Sequence, residues 1–156
     1  MAFDTPNGTR GGRQPGRSRL EQWGNQKMVE RIRRKGDGSG TKLVLVTIGK
    51  KTGVERSNPV RWFPGERDTR IIVASANGAP RNPAWYYNIA AHPDRVRVEF
   101  AGQRIEMRAE QLHGADRDRA WRQITAAARG FARYARITDR EIPIIRLTPL
   151  ASESER

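Results

Sequence analysis

Apolar positions are sparse at the start of the chain. Along residues 1–17 Gly, Arg, Pro and Asn leave almost nothing to bury, so this stretch is expected to be a disordered basic tail. From Ser18 the pattern changes. In SRLEQWGNQKMVERIRR, Leu20, Trp23, Met28 and Ile32 fall on a loosely common face, with Ser18 as N-cap and Glu21 three residues on, which predicts an amphipathic helix weakened at Gly24. The helix and its linker GDGSG fill residues 18–40. KLVLVTI (residues 42–48) is then apolar and β-branched, GKKTG is a turn, and ERSNPVRWF (residues 55–63) is a second strand whose Pro59 calls for an edge or a bulge. PGERD turns into a third strand, TRIIVAS, over residues 69–75.

The stretch NPAWYYNIAAHP interrupts this β pattern. Asn82 has the character of an N-cap, Pro83 suits the first helical position, and Trp85, Tyr86 and Ile89 are helically spaced before Pro93 stops the segment. RVRVEF and QRIEMRAEQL alternate strictly on either side of AG and predict a further hairpin over residues 95–112. A helix follows from Asp116, with Ala120, Trp121, Ile124 and Ala128 on its apolar face. EIPIIRLTP (residues 141–149) is the last strand, and ASESER is a frayed tail. The expected fold is α+β, mainly β: five or six antiparallel strands in one small barrel over residues 41–150, flanked by helices, rather than a doubly wound sheet. Neither GxGxxG nor GxxxxGK[ST] occurs, which argues against a Rossmann or P-loop site.

Composition narrows the chemistry. There is no Cys and only two His, so disulfides and thiolate metal sites are excluded and no metal is expected. No apolar run has the length of a signal sequence core or a membrane span, so the expected location is the cytoplasm. The formal net charge of +13 favours a polyanionic partner, although arginines scattered singly are equally what a GC-rich coding bias produces. Without a stacking platform or a recognition helix, nucleic acid is not the expected partner.

Three clusters could carry function. In TIGKKTGVERSNP, Lys50, Lys51 and Arg56 surround a Gly-flanked turn with the hydroxyls of Thr47 and Thr52, a pattern suited to phosphate and equally to a solvated hairpin tip. In SANGAPRNPAWYYN, Ser75, Asn77 and Arg81 stand near strand ends, and Trp85 with Asn88 could face a ring system; burial of Trp85 and Ile89 in the core is the simpler reading. In RGFARYARITDREIP, Phe131 and Tyr134 are three apart among Arg133, Arg136 and Arg140, so Tyr134 is either a proton donor or a packing residue. Triads and paired carboxylates are not apparent.

In combination, LVLVTIGKKTGVERSNP, IIVASANGAPRNPAWYYNIAAHPDRVRVE and ITDREIPIIRLTP resemble the deazaflavin-dependent nitroreductase and quinone reductase family of actinobacteria, over residues 42–149. The resemblance implies a split β-barrel that binds reduced coenzyme F420 and passes its hydride to a quinone-like, nitro-aromatic or enone acceptor. It implies that Lys50, Lys51, Thr52 and Arg56 hold the anionic tail, and that Asn58, Pro59, Arg61, Ala74, Ser75, Ala76, Trp85 and Asn88 surround the ring. Arg81, Asn82 and Pro83 complete the contacts, and Tyr134 or water is expected to protonate the reduced acceptor. Several relatives have Lys at the place of Ala76, with Arg81 as a substitute here. Nitro-reducing members have several Tyr where this chain keeps only Tyr134, with Phe131 and Ala128 at other matching places, so quinone-like acceptors are favoured over nitro compounds. A flavin mononucleotide enzyme of related barrel type is the first alternative, and a basic nucleic-acid-binding module the second. Because quinones dissolve in membranes, the basic helix from Ser18 is a candidate contact with an anionic membrane surface.

Overall fold

The computed structural model describes residues 3–16 and 18–150; the C-terminal tail expected at residues 151–156 lies outside them. Six antiparallel strands close into a barrel: β1 (Lys42–Ile48), β2 (Glu55–Pro64), β3 (Arg70–Val73), β4 (Val96–Phe100), β5 (Gln103–Gln111) and β6 (Ile144–Pro149), in the order β1-β2-β3-β6-β5-β4, with β4 returning to β1. Four helices flank it: α1 (Arg19–Lys35), α2 (Ala84–Ala91), α3 (Gly114–Ala127) and α4 (Gly130–Ile137).

Strand β1 is continuously apolar because both of its faces are covered. Leu43 and Leu45 point into the barrel with Ile72, Val98, Met107, Ile145 and Leu147, whereas Val44 and Val46 pack under Val29 and Ile32 of α1. Burial on both faces removes the polar alternation expected of a half-exposed strand. Helix α2 stops one end of the barrel with Trp85, Tyr86 and Ile89 in the same interior cluster. Helices α3 and α4 cover Phe63, Ile71, Val73 and Ile144 on the outside. Pro59 is paired with Val44 of β1, while β3 pairs with β2 only at Trp62–Pro64, so the missing N–H of Pro59 falls on a stretch of β2 with a single neighbour. This is the edge that proline required.

Three details differ from the expected elements. Helix α2 is capped by Pro83 without a side-chain bond, because Asn82 is turned inward to other partners. Helix α4 was not anticipated, since Gly130 and a run of arginines conceal the spacing of Phe131, Tyr134 and Ile137. The third difference concerns the amino-terminal segment, expected to be disordered. Residues 3–16 instead run as an extended strap across the molecule: Phe3 stacks edge-on against Tyr86, the Thr5 amide donates to the Tyr86 hydroxyl, and the amides of Gly8 and Gly12 donate to the carbonyls of Pro80 and Gly78. Asp139 fastens it by accepting from the Thr9 hydroxyl and from the amides of Thr9 and Arg10. The Thr9 hydroxyl and those two amides hold the Asp139 carboxyl at about 2, below the usual carboxylate range. Backbone hydrogen bonding does here what apolar burial could not.

Candidate functional site

A groove opens between α1, the β1–β2 hairpin and the start of α2. Its two halves, about 930 Å³ and about 1000 Å³, share Asn25, Lys51, Asn58, Ala84, Trp85 and Tyr87 as common wall. At the near end stands the hairpin tip with Lys50, Lys51, Thr52 and Arg56. The tip is tightly built: Gly49 donates to the Val54 carbonyl and Gly53 to that of Gly49, while a side chain at position 49 would come within 2.6 Å of the Thr52 hydroxyl. The Lys50 amide donates to Asn88 Oδ1 at 2.9 Å, and Asn88 Nδ2 donates to the Thr47 hydroxyl at 3.1 Å. Asn88 therefore anchors the tip to α2, and both of its polar atoms are engaged by the scaffold, where the resemblance had implied a ring contact.

Asn58, Pro59, Ser75, Ala76, Pro83 and Trp85 form the middle of the groove. Ala74, expected among them, is fully buried in the barrel core and outside the groove wall. Beyond Ser75 the chain makes a left-handed turn in which Ala76, Asn77 and Gly78 have φ of 45°, 55° and 77°. Such a conformation costs a non-glycine residue roughly 1–2 kcal/mol. At Gly78 a Cβ would come 2.6 Å from Ile137 Cγ1, so α4 packs against the bare backbone there.

What holds this turn is a residue whose role the sequence concealed. Arg140, only 4% exposed, donates to the carbonyls of Ala79 (3.1 Å), Ala74 (2.9 Å) and Ser75 (2.7 Å) and to Asn82 Oδ1 (2.6 Å). Burial pushes its pKa down, and no carboxylate pairs with it among the described residues. Asn82 passes the connection on, donating to the Thr5 carbonyl of the strap and to the Tyr87 hydroxyl. Asn82 also lines the groove, but its side chain ties loop to strap.

The far end carries Lys42, Arg61, Arg81, Phe131 and Tyr134. Arg61, implied as a ring contact, lies over the Phe63 ring at 5.0 Å, and Phe63, Phe131 and Tyr134 follow in successive edge-to-face contacts of 5.8 and 5.7 Å. The backbone of Arg81 is tied to Gln14 of the strap in both directions. Helix α1 is fixed as the outer wall through Arg33, which donates to Glu99 and to the Ser57 hydroxyl. Although burial opposes it, hydrogen bonds from Arg97 and Arg33 hold the Glu99 carboxyl below its usual range.

A closed antiparallel barrel with a cation-tipped, aromatic-walled groove on its side is a frame shared with solved reductases. The comparisons specify which: the family model for F420H(2)-dependent quinone reductases matches residues 17–149, and the chain belongs to that family of coenzyme F420-dependent oxidoreductases. An F420H(2)-dependent quinone reductase of Mycobacterium tuberculosis is 34% identical over 114 residues, covering 71% of this chain and 75% of its own. Among solved structures, an F420-H2 dependent reductase superposes with a TM-score of 0.62 at 29% identity, covering 69% of this chain and 94% of that one. Another, described as a domain-swapped dimer, gives 0.63 at 28% identity over 81% of this chain and 98% of that one.

Proposed function

We propose that the groove binds coenzyme F420 with its anionic tail at Lys50, Lys51, Thr52 and Arg56 and its ring between Asn58, Pro59, Ser75, Ala76 and Trp85, and that the acceptor reduced is quinone-like. The observation that carries the reading is the union of a cationic hairpin tip and an aromatic-walled slot in one groove. When bound, the reduced deazaflavin supplies a hydride. The protein's contribution is to orient two flat molecules against each other and exclude water, so the rigid walls matter more than any reactive side chain. Nitro-aromatic and enone acceptors are the other candidates for the same slot, and the scarcity of phenols around Phe131 disfavours the former. The deciding experiment is a fluorescence titration with oxidised F420 beside flavin mononucleotide at near-physiological salt. Selective quenching by the deazaflavin supports the reading; selective binding of flavin mononucleotide would replace it with the alternative.

Tyr134, half-buried at the far end, is assigned the delivery of a proton to the reduced acceptor. Tyr134→Phe should lower kcat several-fold; unchanged turnover would leave protonation to water.

Contact with an anionic membrane face, as a peripheral association from the cytoplasmic side, rests on α1. Leu20 and Trp23 are 77% and 60% exposed, with Lys27 over the Trp23 ring and Arg31 and Arg34 further along the helix. No helix among the described residues is long and apolar enough to cross a membrane. Since Val29 and Ile32 are buried beneath the same helix, deleting α1 would damage the fold, and the cleaner variant is Leu20→Ser with Trp23→Ser. Co-sedimentation with anionic liposomes should fall by more than half in that variant, and equal sedimentation would dismiss the membrane role.

A further inference from the structure

The far end of the groove is charged in a way the cofactor reading leaves unused. Lys42 and Arg61 are directly opposed across the β1–β2 ladder. Opposed residues of an antiparallel pair project from the same face with Cβ atoms about 5 Å apart, where like charges repel. Several other arginines meet carboxylates: Arg97 with Glu55 and Glu99, Arg104 with Glu99, Arg146 with Glu110, and Arg117 of α3 with Glu141. Neither Lys42 nor Arg61 has such a partner among the described residues. Lys42 Nζ lies 4.0 Å from Met28 Sδ, and Arg61 is spread over Phe63. Both line the far half of the groove, whose wall contains no Asp or Glu.

Of the hairpin-tip cations, Lys51 also lines the far half of the groove, while Lys50 and Arg56 line the near half alone. Arg61 is five residues beyond Arg56 on β2, roughly 17 Å along an extended strand. What adjoins Arg61 in the groove wall is the aromatic surface of Phe131 and Tyr134, packed edge to face beside the buried Phe63. An uncompensated like-charged pair beside such a surface is stabilised by a flat ligand that brings its own negative charge.

We propose that Lys42 and Arg61 form an anion subsite that selects hydride acceptors bearing a carboxylate or sulfonate on a planar ring. The proposal rests on the reductase reading above and names the substrate class of the same groove. Fully neutral, lipid-like quinones would then be the poorer ligands.

The test compares 1,4-naphthoquinone-2-sulfonate with the neutral 2-methyl-1,4-naphthoquinone by equilibrium dialysis against the full chain holding oxidised F420, where no turnover occurs. Wild-type protein is set beside Arg61→Gln, Lys42→Gln and the charge-keeping Arg61→Lys. The preference for the sulfonate should fall at least about tenfold in the two Gln variants, the loss expected for one charge-assisted contact, and be largely kept in Arg61→Lys. A preference unchanged in Arg61→Gln overturns the subsite, as does an equal loss of F420 affinity, which would return Arg61 to the cofactor. If the wild-type chain binds the sulfonate in an Arg61-dependent manner but does not bind F420, the cofactor reading fails and the subsite stands.

Discussion

Replacing Arg140 by Met should lower the stability of the protein by about 3–5 kcal/mol, the largest loss expected from any single exchange near the groove. The guanidinium is buried and satisfies four acceptors: the carbonyls of Ala74, Ser75 and Ala79, and Asn82 Oδ1. Met fills most of the same volume, so the loss reports polar groups left without donors rather than a cavity. The damage should also spread. Ala76 and Asn77 sit in the left-handed region, and a turn of that kind persists only where its surroundings over-determine it. Asn82, freed from Arg140, would hold Thr5 of the strap less well. Urea unfolding followed by tryptophan fluorescence measures the first effect, and faster tryptic cleavage after Arg10 and Arg13 measures the second. A loss below about 1 kcal/mol would mean that water replaces the guanidinium without penalty, contrary to its burial.

Arg140 also marks where the sequence ceased to be legible. The barrel strands could be read because hydrophobic burial leaves a pattern: KLVLVTI is covered on both faces by apolar groups, and RVRVEF turns Val96 and Val98 into the barrel while Arg97 and Glu99 face the other way. The strap left no such trace. Residues 3–16 bury little apolar surface, and their attachment runs through backbone amides to the carbonyls of Pro80 and Gly78 and to Asp139, groups that composition does not reveal. Helix α4 was hidden for a related reason, because none of its residues is fully buried and Phe131 and Tyr134 are only partly covered, Phe131 edge-on against Phe63 and Tyr134 edge-on against Phe131. Asn88 lines the groove and also fixes the Lys50 amide, and thereby the position of the cationic tip, a bond that its place in the sequence does not disclose.

The tip itself gives the second large effect. Exchanging Lys51 and Arg56 together for Gln should weaken the binding of oxidised F420 by about a hundredfold at low salt, taking each charge-assisted contact with a phosphate or carboxylate at the lower end of about 1.5–3 kcal/mol. Both side chains are exposed and neither is paired to a carboxylate among the described residues, so stability should change little. The salt dependence separates this from a general effect of lowered charge. Contacts with a polyanionic tail weaken as counterions screen them, so wild-type affinity should fall as ionic strength rises from 0.05 to 0.5 M, on the order of the change in Debye length from about 14 to 4 Å. The double variant should fall less steeply, so that the two titration curves converge at high salt. Parallel curves, or a loss below threefold at low salt, would show that the tail lies elsewhere. The tip would then be a solvated hairpin end, its lysines serving solubility rather than recognition.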